Sequence, residues 1–380
     1  MKARIEPDLM IVAGEVSGDI HAGNLLDELR RLRPDVEAFG VGGERLVAAG
    51  LDPVASIDEL AHMGLVEVLR ELPRIRRLMH RLVDEAARRR PALAVLVDSP
   101  DFNLRLASRL RRLGVPVVLY VSPQLWAWRR GRVRTVRRLA REVLCLLPFE
   151  VPFYEAHGVR ARYVGHPLVD EIARVGLLDT PREVVDGRIA LLPGSREMEL
   201  TQLLPVMIET LRRLPATEVT EAILVEAPGV TRLVDSVLAG TGSDPRVIRV
   251  RGEQRRFELA RSALAWTASG TATLECALLD VPMVVGYRLR GLTYAVARVL
   301  VSVPYVALVN LIAGKPIAPE LLQSEWRPDR LAGVTSDLLR TGASLQRGGL
   351  RAVRQRLGEP GASRCAAEAV AEHLDASGIG

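Results

Sequence analysis

"LMIVAGEVSGDIHAGNLLDELRRLRP", residues 9–34, decides the fold. Leu9 to Ala13 run apolar without a polar interruption, as a strand buried on both faces must. A cluster of glycine and polar residues follows, and then an amphipathic stretch long enough for a helix. The same alternation returns in "ALAVLVD" before "FNLRLASRLRRLG" and in "PVVLYVSP". A second series runs through "RIALLPGSR" before "MELTQLLPVMIETLRRLP", "EAILVEAP", "SALAWTASG" before "TLECALLDVP", and "PMVVGYRL". Short apolar runs alternating with amphipathic stretches predict parallel sheets with helices on both faces, so the fold class is α/β with two Rossmann-like domains. The break between the series lies near Gly165 to Val175, where "GHPLVD" closes the first. The expected divisions are 1–165, 166–350, and a helical segment over 351–380 able to cross back to the first domain.

The 380 residues, 48% of them hydrophobic, suffice for two cores and exclude a disordered or fibrous chain. The formal charge is +6, and Lys2 and Lys315 are the only lysines, so the cationic groups are almost all arginines, planar donors suited to phosphate. Cys145, Cys276 and Cys365 form no CxxC pair, which fits a reducing compartment and points to no structural zinc. His21, His62 and His166 have no partners at coordination spacing, so no metal site is expected. The start "MKARIEPDLMIVAGE" lacks the apolar core of a signal peptide, which makes the cytoplasm the expected location. The apolar stretch 294–313 contains Arg298, Pro304 and Asn310 and reads as buried or interfacial rather than membrane-spanning.

In open α/β sheets ligands collect at the carboxyl ends of strands, so the informative residues are those where strands stop. In "SALAWTASGTATLECA" the residues Ser269, Gly270 and Thr271 bring backbone N–H groups and hydroxyls to a helix N-terminus, an anion site. Glu275 follows, expected in the first turn, where it suits the hydroxyls of a ribose. In "IALLPGSREMEL" Gly194 and Ser195 allow close backbone approach and Arg196 supplies charge to a diphosphate. No Walker lysine accompanies these turns, and "GVGGERLVAAG" lacks the third glycine of a dinucleotide fingerprint. In the first half, Glu15, Ser17 and Asp19 surround the first strand end, and "VLVDSPDFN" ends a second strand on Asp98. Asp98 is the candidate base, and Asp101, after Pro100, the expected cap of the next helix.

Residues 64–90 carry Arg70, Arg74, Arg77, Arg81 and Arg88 on one helical face and Val68, Leu72, Ile75, Met79 and Leu82 on another, with Leu65, Val66 and Leu69 as a second apolar group. Apolar surface beside a basic stripe suits an anionic membrane or a lipid substrate. "YVSPQLWAWRRGRVRTVRRLAR" adds Trp126 and Trp128 beside Arg129 and six further arginines up to Arg141. That pairing fits a membrane interface, a phosphosugar pocket or nucleic acid.

Taken in order, "MIVAGEVSGDIHAG", "FGVGGERLVAAG", "LAHMGLVEVL", "VDSPDFN", "YVSPQLWAWRRGR", "LPFE", "YVGHPLVD", "LLPGSR", "ASGTATLE", "PMVVGYR" and "LVNLIAGKPIAPELLQ" closely resemble the lipid-A-disaccharide synthase family over almost the whole chain. The resemblance implies a GT-B glycosyltransferase, two Rossmann-like domains facing across a cleft, with the acceptor and membrane side in the first and the UDP-sugar site in the second. It implies an inverting transfer from UDP-2,3-diacylglucosamine to 2,3-diacylglucosamine 1-phosphate, giving a β(1→6) disaccharide 1-phosphate and UDP without metal or other cofactor. The expected location is peripheral, on the anionic cytoplasmic face of the inner membrane, with no nucleic-acid partner and with a homodimer left open.

Carried over by position, the resemblance makes Gly194, Ser195, Arg196, Ser269, Gly270, Thr271, Glu275 and Asn310 the nucleotide-sugar set and Asp98 the catalytic carboxylate, with Glu15 the next candidate. Glu15, Ser17, Asp19, Trp126 and Arg129 fall on the acceptor side. Leu65, Val66, Val68, Leu69, Leu72, Arg74 and Arg77 form the membrane patch. The segment "LVEAPGV" departs from the family pattern. Two alternatives remain: a UDP-sugar epimerase of the same fold, which turns over donor without acceptor, and a non-catalytic basic protein binding membrane or nucleic acid.

Overall fold

A computed structural model describes residues 9–61, 68–289 and 303–376, for residues 61, 68–72, 341 and 342 without their side chains. The chain forms two compact units, 1–167 with 360–380, and 168–359.

The first unit holds a seven-stranded parallel sheet: β1 (Leu9–Ala13), β2 (Ala38–Gly42), β3 (Asp52–Ser56), β4 (Leu93–Val97), β5 (Val117–Tyr120), β6 (Glu142–Cys145) and β7 (Ala161–Tyr163), in the order 3-2-1-4-5-6-7. Alternation along the central strands divides its core in two. Met10 and Val12 face one side with Leu78, Leu82, Leu106 and Leu110 from the helices Val68–Arg89 and Pro100–Arg112. Leu9, Ile11 and Ala13 face the other with Leu25, Leu26 and Leu29 from the helix Val16–Leu32. The last helix, Ala362–Asp375, completes that second face through Ala366, Ala369, Val370 and Leu374. Full burial of each leucine contributes roughly 1.5–3 kcal/mol. The returning helix is also fixed by polar groups: His373 Nε2 lies 2.7 Å from Glu142 Oε2, both buried, and Arg160 Nε donates to Glu142 Oε1 at 3.0 Å.

The second unit has β8 (Val185–Leu192), β9 (Glu221–Val225), β10 (Val247–Val250), β11 (Ser262–Ala268), β12 (Met283–Tyr287) and β13 (Glu320–Leu322). They form a parallel sheet in the order 10-9-8-11-12-13. Relative to its own first strand, each sheet therefore begins 3-2-1-4-5-6, the doubly wound order of the Rossmann fold. Trp266 and Trp326 are fully buried here. The Trp266 indole donates to Thr335 Oγ1 at 2.8 Å, and the Trp326 ring packs so closely on Gly286 that a Cβ there would strike it. The helix Ala343–Leu357 stays with this unit, and only from Pro360 does the chain return to the first.

This topology points to where function should lie. Strand order reverses between β1 and β4 in the first sheet and between β8 and β11 in the second, and ligands of doubly wound sheets bind outside the carboxyl ends at such switch points. Gly14 and Asp98 directly follow β1 and β4; Ser269 directly follows β11, and Gly194 comes just beyond β8.

Candidate functional site

At the first switch point the chain turns sharply from β4 into the helix Pro100–Arg112. Asp98 and Ser99 are both left-handed, with φ of 51° and 38°, a conformation that costs on the order of 1–3 kcal/mol at each non-glycine residue. Asn103 is buried and holds the bend, its Nδ2 donating to Val97 O at 3.0 Å and Asp98 O at 2.9 Å. The turn presses the Asp98 carboxylate onto the backbone after β1. Gly14 N–H donates to Asp98 Oδ1 at 3.0 Å, and a Cβ on Gly14 or Gly18 would overlap Asp98. Among the described residues, Asp98 Oδ2 is buried without a hydrogen-bond partner. Burial first, then the nearby Glu15 carboxylate, push the Asp98 pKa up to about 8, against the pull of the Gly14, Glu15 and Gly18 N–H groups. A carboxylate so placed holds a proton at neutral pH until something deprotonates it, and then is an unusually strong base.

Its neighbours divide into exposed and structural groups. Glu15 and Ser17 are exposed at the start of the helix Val16–Leu32. Asp19 is buried and serves the fold. Its carboxylate accepts from Gly43 N (2.6 Å), Arg45 N (3.0 Å) and Leu46 N (3.2 Å), capping the helix Glu44–Ala48, which withdraws it from the expected ligand set. Asp101 is not the helix cap, a position held by Ser99; its side chain turns outward to Arg132 Nη1 at 2.5 Å and to Arg129 Nη1 at 3.4 Å. Trp126 is buried, its indole donating to Glu150 Oε1 at 3.0 Å, so Trp128, 40% exposed under the Arg129 guanidinium, is the aromatic that meets solvent. Glu150, the glutamate of "LPFE", is the buried acceptor that the sequence does not single out. Ser122 Oγ, Trp126 Nε1 and Leu147 N all donate to it, and burial raises its pKa to about 7 against the Ser122 and Trp126 hydrogen bonds.

Of the expected membrane patch, Leu65 and Val66 lie outside the described residues, as do the side chains of Val68, Leu69 and Leu72 and residues 294–302 of the stretch 294–313. Arg74 is half-buried and Arg77 exposed on the helix Val68–Arg89, whose Leu78, Met79 and Leu82 enter the core. Among the described residues no helix is long and apolar enough to cross a membrane, and no group of acids, histidines and cysteines is arranged to hold a metal ion.

The two turns at the second switch point differ in kind. Gly194 is left-handed (φ 100°) ahead of the helix Glu197–Arg213, but Glu199 already accepts from Ser195 N at 3.1 Å and Arg196 N at 3.3 Å. A diphosphate expected on those N–H groups would have to displace a carboxylate; the Arg196 side chain is 81% exposed, with its Nη1 3.6 Å from Glu199 Oε1. With arginine at the cap position in place of Ser or Thr, this capping glutamate carries none of the usual sequence signature. The helix Thr271–Leu278 is the open one. Gly270 is its cap with φ 145°, and among the described residues no side chain caps it and nothing lies within 4 Å of where a Cβ would stand. Its first N–H groups lack intrahelical acceptors, so this terminus is the better anion cradle.

Ser269 Oγ donates to Val306 O at 2.8 Å and so supports the turn. Glu275 is a turn further along the helix than expected, held by Arg256 Nε at 2.8 Å, with Arg256 also bonded to Glu171. Asn310 is fully buried and spends its whole amide on the protein. Nδ2 donates to Ala318 O and Glu320 Oε1, both at 2.8 Å, and Oδ1 accepts from Ile317 N and Ala318 N, both at 2.9 Å. Glu320 in turn accepts from Val306 N and Ala307 N at 3.0 Å. Asn310 therefore fixes the loop against Ser269 instead of offering an atom to a nucleotide.

Comparison with known proteins agrees with this architecture. A family model described as lipid-A-disaccharide synthetase matches residues 9–371. Among curated relatives, the lipid-A-disaccharide synthase of Anaeromyxobacter sp. (strain K) is 46% identical over 376 residues, covering 97% of each chain. That of Myxococcus xanthus is 45% identical over 377 residues, 97% of this chain and 98% of the relative. Among solved structures, Acinetobacter baumannii MurG superposes with a TM-score of 0.60 at 12% identity, over 96% of this chain and 98% of that one. A Neisseria meningitidis UDP-GlcNAc 2-epimerase bound to UDP-GlcNAc does so with a TM-score of 0.55 at 10% identity, over 97% and 99%. The structural likenesses carry the two-domain GT-B fold, the sequence match carries the chemistry, and together they place this chain in the lipid-A-disaccharide synthase family, an enzyme family of glycosyltransferases in lipid A biosynthesis.

Proposed function

We propose that the enzyme transfers the sugar of UDP-2,3-diacylglucosamine to the 6-hydroxyl of 2,3-diacylglucosamine 1-phosphate with inversion, giving the β(1→6) disaccharide 1-phosphate and UDP. The observation that carries the proposal is the Asp98 carboxylate, forced onto the β1 turn with a pKa near 8 at a sheet switch point. The acceptor oxygen attacks the anomeric carbon as the bond to the diphosphate oxygen breaks. That bond's electron pair leaves with UDP, and the hydroxyl proton passes to ionised Asp98. The N-terminus at Gly270 and Thr271 and the Arg196 guanidinium stabilise the charge that develops on the diphosphate. Glu275, oriented by Arg256, holds the ribose hydroxyls, Ser195 and Gly194 shape the turn that carries Arg196, and Asn310 and Ser269 position the loops. Glu15 raises the basicity of Asp98 and is the alternative base.

The exposed Trp128 and Arg129, with Arg74, Arg77 and the apolar residues from Leu65 to Leu72, suit an anionic lipid surface, and the enzyme acts there as a peripheral protein on the cytoplasmic face of the inner membrane. Incubation with donor, with and without acceptor, followed by mass spectrometry, tests the reaction. A disaccharide 1-phosphate that forms only when acceptor is present supports it. Donor converted to an isomer without acceptor favours the epimerase reading, the activity named for several solved structures that share the fold.

A further inference from the structure

The second unit carries a cavity of about 600 Å³ at the end of its sheet remote from the nucleotide turns. Its walls are the segment before β8, the end of the helix Gln254–Ala260 before β11, the end of the helix Thr271–Leu278 before β12, and one face of the helix Ala343–Leu357. Five arginines line it against three carboxylates, Asp179, Glu183 and Asp280. Two of these arginines have carboxylate partners: Arg354 pairs with Asp179 at 2.5 Å, and Arg261 lies 3.8 Å from Glu258. Arg182 instead spends its guanidinium on main-chain oxygens, donating to Ala260 O at 2.7 Å and to Asp280 O and Ser262 O. Among the described residues, Arg347 Nε is buried without a hydrogen-bond partner. Arg351 is exposed on the same helix one turn further on. Asp280, beside Arg182, offsets part of this charge, and Glu183 is exposed at the rim. Burial and the charge of Arg347 pull the Arg182 pKa down to about 10, against the opposing pull of Asp280. Apolar surface joins the arginines in the lining: Phe257, 44% exposed, and half-buried Leu177.

We infer that this cavity is a second anion site, taking a small phosphate monoester whose phosphate lies on Arg347 and Arg351 and whose organic part packs on Phe257 and Leu177. Guanidinium groups match tetrahedral oxyanions by paired N–H donors, and a mostly apolar cavity with a few convergent polar groups is the usual form of a small-molecule site. The site shares no residue with the Gly194 or Gly270 turns.

Titration calorimetry with phenyl phosphate and with inorganic phosphate tests this, using the full chain saturated with UDP. Phenyl phosphate is expected to bind once per chain and more tightly than inorganic phosphate. Arg351→Gln, at an exposed position, and Arg347→Gln should each weaken it about tenfold, the usual scale for one charge-assisted hydrogen bond. Phe257→Ala should reduce phenyl phosphate to the affinity of inorganic phosphate, and Arg196→Gln should change neither. Unfolding midpoints without ligand identify any variant that has lost its fold. Undiminished binding in Arg351→Gln, equal affinity for the two probes in the unaltered protein, or loss of binding in Arg196→Gln each overturns the assignment.

Discussion

Asp98→Asn should stabilise the protein while it stops turnover, and the stabilisation should grow with pH. The folded protein holds the Asp98 proton up to about pH 8, whereas the ordinary value for the group is 3.8. Between those values the native state binds more protons than the unfolded chain, so this group's contribution to stability falls as pH rises from about 4 and levels off above about 8. About four pH units at 1.36 kcal/mol each set a ceiling on the order of 5 kcal/mol of destabilisation by the ionised carboxylate. Asparagine removes that charge and keeps the acceptor for Gly14 N–H. Its amide then faces the Gly18 backbone in place of Oδ2, at a cost of roughly 1 kcal/mol. The expected net gain is therefore near zero at pH 4 to 5 and about 2–4 kcal/mol at pH 8 to 9. Denaturant unfolding of both proteins across that range, followed by a probe in the first unit, measures it. Turnover should fall by about two to four orders of magnitude, the usual contribution of a general base. A stability difference that is flat with pH, or that shrinks as pH rises, would show that Asp98 ionises like a solvated carboxylate and would refute the burial argument.

Gly18→Ala should displace Asp98, because its Cβ would overlap Oδ2, and turnover should drop by at least tenfold while circular dichroism still reports a folded chain. Glu15→Gln should retain turnover and lower the pH at which Asp98 loses its proton, detectable by NMR titration; near-complete loss of turnover would instead make Glu15 the base. Arg196→Gln should lower kcat by about 10- to 1000-fold with little change in unfolding midpoint, since the side chain is largely exposed. His373→Ala removes a buried partner of Glu142 and should loosen the last helix by about 2–4 kcal/mol, read as faster amide exchange over residues 362–375.

The sheet centres are legible in the sequence because β1, β4, β5, β8, β9, β11 and β12 are apolar runs buried from both sides. The remaining strands are harder for physical reasons. β2 is "AFGVG", where the glycines suppress any strand signal, and Gly40 is present because a Cβ there would overlap Ile11 O. β3, "DPVAS", and β13, "ELL", are edge strands, too short or too polar for a periodicity to show. At the site, Asp98, Gly270 and Arg196 are readable from their place at strand ends. Asp19 and Asn310 have the same polar character, and only the fold shows their side chains already spent on backbone groups. Glu199, Arg256 and Glu320 act through partners distant in sequence or hidden by an unusual cap, which no local spacing reveals.

The most direct test of Asp98 as the proton acceptor is the pH dependence of kcat/KM for the acceptor between pH 5 and pH 9.5. The account predicts an acid limb of unit slope that breaks near pH 8, the free-enzyme pKa of Asp98, and that disappears in the residual activity of Asp98→Asn. A profile that is flat above pH 5, or a break near pH 8 that survives in Asp98→Asn, would contradict it.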